Sequence, residues 1–367
     1  MNVTNLILKN FRNYESLQMK FSPGFNFILG ENGVGKSNIL EAITILAQLK
    51  SFRAIDDREI VRWGETSYFC SSTLTNCDHE KFEVGVQVTD FLKKKFKIDG
   101  LEIKRGIDYY GKFLVVAFSP DDIEIINGSP EARRKFFDSV LSKIDKTYLI
   151  NLSEFKRILT LRNKLLKSMR DGKKEDFKQL DVWDHIFSEK SEILISKRVE
   201  FLSKFLYTFK HLYKCIAGDD TLNIFYSSSI DDYSKENIIN VLLKTRRRDL
   251  QIGTTCIGPQ RDDYVFGKTK ESLFTNYCSQ GQKRIASISL KMAEYEIVEK
   301  ISGQKVVILV DDIFSELDEN RRNHMVQLLT KGNQVIFTMA NSFFGDYGNI
   351  MHSKKFMVER PGIVREL

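Results

Sequence analysis

Proline is scarce in this chain, five in 367 residues, and none falls between Pro130 and Pro259. Because proline removes a backbone donor and breaks helices, a stretch of that length without one is open to long helices. Cysteine is equally thin: Cys70, Cys77, Cys215, Cys256 and Cys278 are odd in number, scattered, and contain no CxxC pair. That excludes a disulfide framework and fits reduced thiols in a cytoplasm. The five histidines, His79, His185, His211, His324 and His352, form no HExxH helix and no local cage for a metal. No apolar run reaches the ~18 to 20 residues of a membrane helix; the longest candidates are Phe113 to Phe118 and Val306 to Val310. The opening Met1-Asn2-Val3-Thr4 arrives at Lys9 and Arg12 without an apolar signal core. A cytoplasmic protein with no membrane partner is therefore expected.

What the chain has in quantity is charge and apolar bulk. Lysine and arginine total 56 against 49 acids, a net charge of +7, with 42% hydrophobic and 11% aromatic residues. That is ample for one large domain or two lobes, and it excludes global disorder. A charge of +7 permits nucleic-acid binding without requiring it.

The texture changes along the chain. Short β-like runs (Asn5 to Lys9, Phe25 to Leu29, Glu83 to Val88, Phe113 to Phe118) alternate with turns such as Asp99-Gly100 in the N-terminal section. From Glu131 to Cys215 there is a single glycine, Gly172, and apolar residues recur at threes and fours, among them Phe201, Phe205 and Phe209. This spacing predicts a packed helix face rather than an aromatic base-stacking platform. Lys305 to Val310 and Gln334 to Met339 then read as buried strands. Strands at both ends and helices between predict an α/β lobe assembled from the two termini, residues 1–118 with 300–367, around a mainly helical lobe of residues 119–299.

The strand-like Phe25 to Leu29 ends in Gly30-Glu31-Asn32-Gly33-Val34-Gly35-Lys36-Ser37, and Asn38 to Leu49 continues as an amphipathic helix. This is GxxxxGK[ST] between a strand and a helix, the context that gives the pattern meaning. Its glycines let successive N–H groups point into one concavity, Lys36 can reach the β and γ phosphates, and the Ser37 hydroxyl can ligate Mg²⁺. Such a loop needs an acid on a neighbouring strand. Val306 to Val310 is followed by Asp311 and Asp312, which reads as a Walker B element: the first acid near Mg²⁺, the second placed to polarise the attacking water.

The run Asp311-Asp312-Ile313-Phe314-Ser315-Glu316-Leu317-Asp318 resembles the Walker B and D-loop of ATP-binding-cassette ATPases, and Cys278-Ser279-Gln280-Gly281-Gln282 stands where those proteins carry their signature. Within that superfamily the chain resembles the RecF family, related to SMC heads, at Leu8-Lys9-Asn10-Phe11-Arg12-Asn13-Tyr14, Gly24-Phe25-Asn26, Ser51-Phe52-Arg53, Ile257 to Asp263 and Ser279 to Arg284. Departures are Gln282-Lys283 for Glu-Gln, Gln260 for His, and Phe337-Thr338-Met339-Ala340 where transporter ATPases place a histidine.

The resemblance implies an ABC-ATPase head, a P-loop NTPase of SMC-like kind, with a helical second lobe carrying the signature. It implies weak ATPase activity with ATP and Mg²⁺ as cofactors, and Lys36, Asp311 and Asp312 as catalytic residues. Nucleotide contacts would come from Arg12, Asn13, Gly30 to Asn38 (including Glu31, Asn32, Gly33, Val34 and Gly35), Ser279, Gly281 and Asp318, and metal contacts from Ser37 and Asp311. It implies an ATP-dependent homodimer in which Ser279 of one chain meets the nucleotide of the other. The partners implied are DNA, duplex and single-stranded near gaps, and RecR and RecO. The basic clusters are Lys93-Lys94-Lys95-Lys97, Arg133-Arg134-Lys135, Lys173-Lys174 and Arg246-Arg247-Arg248; each taken singly reads as a solvated face, and the resemblance turns the set as a whole, but no named residue, toward DNA phosphates. Two other readings are a transporter ATPase subunit and an SMC-like structural ATPase, the second short of room for long arms.

Overall fold

The computed structural model describes residues 1–53, 56–75, 80–88, 92–172, 176–316, 318–329, 333–340 and 353–367. Cys77, His79, Lys173, Lys174, Leu317 and His352 lie outside the described residues, as do the side chains of Ser315, Glu316 and His324. The chain divides into two units, one of Met1–Asp122 with Glu294–Leu367 and one of Ile123–Ala293.

The first unit holds two six-stranded sheets. Strands β1 (Asn2–Phe11), β2 (Tyr14–Lys20), β4 (Ser67–Thr75), β5 (Lys81–Val88), β6 (Leu92–Ile98) and β7 (Leu101–Glu102) form an antiparallel sheet in the order β2-β1-β4-β5-β6-β7. Its strands alternate: Leu6 and Leu8 of β1, Tyr68 and Cys70 of β4, and Phe82, Val84 and Val86 of β5 are buried on one face. Residues of the opposite parity take the other face, as a half-buried antiparallel sheet requires. The second sheet, in the order β14-β13-β3-β12-β11-β8, contains β3 (Phe25–Gly30), β8 (Val115–Phe118), β11 (Val307–Asp311), β12 (Val335–Met339), β13 (Lys354–Arg360) and β14 (Ile363–Glu366). All neighbours in it are parallel except β13 and β14. β3, β11 and β12 are buried throughout, which explains why they read as continuous apolar runs.

Helix α1 (Lys36–Gln48) joins the buried faces of the two sheets into one core, with Ile39, Leu40, Ile43, Ile45 and Leu46 among the residues it contributes. A helix apolar on nearly all sides is stable only when covered on all sides. On the far face of the parallel sheet, Phe25, Phe27 and Phe337 stack at 5.3 to 5.8 Å between β3 and β12. Gln334 adds a polar tie, accepting from Val3 N–H at 2.7 Å and donating to the carbonyls of Val3 and Ser22. Short helices α2 (Gly106–Tyr109) and α3 (Glu124–Asn127) follow in the chain.

The second unit is built on α4 (Pro130–Ile144), α5 (Lys146–Arg170), α6 (Phe177–Ala217) and α7 (Lys235–Ile252), with a two-stranded sheet of β9 (Asn223–Ser227) and β10 (Asp263–Gly267). Phe201, Phe205 and Phe209 of α6 are buried and form edge-on and tilted contacts, including Phe137 to Phe205 at 5.2 Å. They are a packed helix face, as their spacing predicted. The remaining named helices are α8 (Gln280–Ser302) and α9 (Glu319–Leu329).

Candidate nucleotide site

β3, β12 and β11 lie side by side, so the loop after β3 and the acids after β11 open at the same end of the parallel sheet, one strand apart. That is the crevice where α/β sheets bind ligands. Gly30 and Gly35 mark the ends of the loop. Both have positive φ, 152° and 107°, and a Cβ would strike Val358 O at 2.7 Å at the first and the Asn13 side chain at the second. Glycine is therefore required at both positions by backbone conformation and by close approach.

Lys36 is buried and donates to the carbonyls of Gly30 at 2.8 Å and Glu31 at 2.7 Å. Burial lowers its ammonium below the usual lysine value, opposed by Asp312 and Asp311. Ser37 Oγ donates to Asp311 Oδ1 at 2.7 Å. The two residues expected to share a divalent cation thus already touch each other. Asp312 sits in the left-handed region at φ 49°, and burial raises its carboxyl above the usual range, with Lys36 opposing and Asp311 adding to the shift. Asn32 and Gly33 are exposed at the loop tip, between Glu31 and Val34.

Thr338 was read only as part of a segment lacking histidine, yet it organises the acids. Its hydroxyl donates to Asp311 Oδ1 at 2.7 Å and accepts from Asp312 N–H at 3.1 Å, while its carbonyl accepts from the same N–H at 3.1 Å. A lone hydroxyl in the otherwise apolar Val335–Met339 was the signal. Glu41 was also missed. It is fully buried in α1, where Arg12 grips it with Nε at 2.9 Å and Nη2 at 2.7 Å and Ser51 donates to it at 2.5 Å. The bond to Glu41 raises the Arg12 guanidinium above its ordinary value. Asn13 donates to Val34 O at 2.9 Å and accepts from Asn38 Nδ2 at 2.8 Å, and Tyr14 donates to Gly35 O at 3.1 Å. The β1–β2 turn thus braces the loop, with Arg12 and Asn13 both committed to protein groups.

The signature residues lie in the other unit. Ser279 Oγ accepts from Gln282 N–H at 3.2 Å, and Gln282 Oε1 accepts from Ser279 N–H at 2.9 Å. This is a reciprocal capping box at the start of α8, and it gives Gln282 a definite role. A Cβ on Gly281 would meet nothing closer than Ser279 Oγ at 3.9 Å, so packing within the chain does not require glycine there. Asp318 caps α9, accepting from Arg321 N–H at 3.0 Å.

The family model described as RecF/RecN/SMC N terminal domain matches residues 2–352. A DNA replication and repair protein RecF of Leptospira interrogans is 36% identical over the full length of both chains, and one of Listeria monocytogenes is 32% identical over 98% of each. The chain belongs to the RecF family. RecF is thus the group within which its fold and motifs are read. Solved structures of the recombination mediator protein RecF in the RecFOR pathway, one RecF-ATP and one RecF-ATPrS, match at TM-scores of 0.90 and 0.89 with 32% identity. They cover all of this chain and 97% and 98% of those chains. An SMC head bound to the C-winged helix domain of ScpA shares the fold at a TM-score of 0.55 and 14% identity. RecF membership and the fold make this an ABC-type ATPase of DNA replication and repair.

Proposed function

We propose that the chain is an ATP-dependent DNA-binding protein of recombinational repair and replication. It binds duplex DNA beside single-stranded gaps, dimerises with ATP, and uses hydrolysis as a release switch while helping to load recombinase with RecO and RecR. The observation that carries this reading is the convergence of Lys36, Ser37, Asp311 and Asp312 at one end of the parallel sheet. The donor set fits Mg²⁺ and a polyphosphate: a lysine held by two loop carbonyls, and a hydroxyl and carboxylate already 2.7 Å apart. Ser37 and Asp311 would hold the cation and Lys36 the terminal phosphates. When bound, Mg²⁺ supplies charge neutralisation at the phosphoryl group.

The chain's own residues do the rest. Loop N–H groups and the N-terminus of α1 bind the anion. Thr338 fixes the orientation of Asp311, and Asp312, with its carboxyl raised by burial, is suited to orient a water and accept its proton. In Ser279 the oxygen serves the helix cap, so its O–H is free to donate to a phosphate held by a second chain, and the space at Gly281 lets that chain approach. RecR and RecO as partners rest on the pathway of the RecF structures. The test is oligomeric state by sedimentation in four combinations, with and without ATP and with and without gapped duplex. Dimer only with ATP, strengthened by DNA, is expected; a dimer indifferent to ATP would refute the switch.

A further inference from the structure

The basic clusters visible in the sequence are not equally free to meet a partner. Arg133 is bidentate to Asp263, at 2.7 and 2.9 Å, and donates to Gly128 O, while Arg134 donates to Asp262 O at 2.6 Å. Arg246 is held by Asp181 and Asp184, both at 2.6 Å. Lys94 turns inward onto Asp57 and Leu49 O. These side chains are occupied by internal bonds.

The rest of the β6 cluster is available. Lys93, Lys95 and Lys97 alternate with Lys94 and Phe96, so the pleat puts them on the face of the antiparallel sheet opposite α1. Register carries that face across the sheet. Lys95 pairs with Gly85, Gly85 with Phe69, Phe69 with Lys9; in a second row Lys81 pairs with Thr73, Thr73 with Asn5, and Asn5 with Lys20. Among the described strand residues six lysines thus share the face with two acids of the same parity, Glu83 and Glu102, a surplus of +4 (6 − 2). Lys95 and Glu102, 3.8 Å apart, are each more than half exposed, whereas Lys81 pairs with the more buried Glu83 at 2.8 Å. Lys9, Lys20, Lys93 and Lys97 have no ion pair among the described residues. Adjacent strands lie ~4.8 Å apart, so the rows from Lys9 to Lys95 and from Lys20 to Lys81 each cross about 14 Å, a broad and shallow footprint. A cleft lined by Gln18, Met19, Lys20, Phe356 and Glu366 lies at the β2 edge of this face; the open rows of lysine beyond it suit a backbone of phosphates better than a small anion.

At one end of the same sheet stands Trp63, 99% exposed. Its turn is fastened to β1 by Arg12 N–H to Ile60 O at 2.7 Å and Arg62 N–H to Asn10 O at 2.9 Å, and it leads directly into β4. The nearby acids Glu15 and Glu65 face Arg62 at 3.2 and 3.9 Å. The turn therefore offers a ring rather than net charge. A fully exposed indole fixed to a rigid sheet end has the makings of a base-stacking group.

We infer that the lysine face of the antiparallel sheet is the surface that follows the DNA backbone, with Trp63 stacking on an unpaired base where the duplex gives way to single strand. This rests on the DNA-binding reading above and assigns it a surface. The test is fluorescence anisotropy with ATP on duplex, single-stranded and gapped DNA across a salt series. Three variants are compared with the unsubstituted chain: Lys93→Gln with Lys95→Gln and Lys97→Gln, Trp63→Ala, and Arg247→Gln with Arg248→Gln on exposed positions of α7. All change exposed side chains except the half-buried Lys97, and unaltered melting and ATP binding check their folding. The triple lysine variant is expected to lose about tenfold or more in affinity for all three DNAs, with a log–log salt slope shallower by about 3, one for each lysine. Trp63→Ala should lose about fivefold on single-stranded and gapped DNA and nothing on duplex. The arginine pair should change little.

If the unsubstituted chain with ATP does not bind DNA, the DNA-binding reading falls and the surface with it. If it binds and the triple variant binds as tightly with the same slope, or the arginine pair takes the loss, the surface alone is overturned. Retained DNA affinity with lost binding to phosphatidylserine vesicles would overturn it in favour of a lipid surface.

Discussion

The phosphate loop and the helical unit handle charge in opposite ways. Around the phosphate loop, Lys36 rests on two backbone carbonyls, and Ser37 and Asp311 hold each other, so each has a protein partner that a ligand can replace. In the helical unit, Arg162 is fully buried with Asp184 at 2.7 Å, Asp249 at 2.8 Å and Thr255 at 2.7 Å. Arg198, nearly as buried, is gripped by Asp138 and donates to Pro259 O at 2.8 Å. Those partners are permanent. Asp249 also accepts from Cys256 N–H, so the Arg162 cluster fastens Thr255 and Cys256 to the long helices; Arg198 holds the following Ile257–Asp263 motif at Pro259, and Asp262 accepts from Tyr226 and Ser228. Similar side chains thus serve as an exchangeable contact at the phosphate loop and as a lock in the helical unit.

Breaking the lock should cost the most. Arg162→Met leaves Asp184 and Asp249 buried without their shared cation, and a loss of about 3 to 5 kcal/mol is expected. Denaturant unfolding measures it. Adding Asp249→Asn should return part of that loss, because the coupling belongs to the pair and not to either residue. If Arg162→Met unfolds at the parental midpoint, the contrast between the units collapses.

Breaking the exchangeable contact should act on chemistry instead. Lys36→Ala is expected to lower ATP hydrolysis about 100-fold or more, the scale of losing a charge-stabilising donor, about 3 kcal/mol in the barrier. Its unfolding midpoint without nucleotide should stay near the parent's. Thr338→Val tests the same site more gently. It keeps the strand and removes the hydroxyl between Asp311 and Asp312, so hydrolysis should fall about tenfold, the scale of misplacing a reacting group.

How much of this was legible beforehand follows from what each feature depends on. The phosphate loop and the acids after β11 were readable because glycine spacing and a buried parallel strand leave local marks in the sequence. β6 was not: Leu92–Ile98 has four lysines around one phenylalanine, which composition assigns to a solvated face. Only its pairing with β5 makes it a strand. The arginines at Arg133, Arg134 and Arg246 read singly as solvated faces, and the partners that bury them in internal bonds, as many as 130 residues away in sequence, could not be seen from a local window. Thr338 and Glu41 escaped because each is a single polar residue whose meaning depends on a neighbour brought in by the sheet.

The smallest effect sharpens the comparison most, because it asks whether the exchangeable site carries a standing cost that the lock does not. Burial raises the Asp312 carboxyl above its ordinary 3.8, so the fold prefers that group protonated. By linkage, its contribution to stability is fully present below 3.8 and is lost as pH rises through the raised value. Wherever pH ionises the folded group, it is held in that form against this preference. Asp312→Asn keeps the shape, suits the left-handed backbone at φ 49°, and removes the charge. The variant should melt slightly above the parent at pH 7, and the gap should close as pH falls toward 3.8, while hydrolysis is lost and ATP binding and the ATP-bound dimer persist. A gap that widened on acidification would mean that Asp312 stabilises the empty fold, and that the catalytic unit locks its charges as firmly as the helical one does.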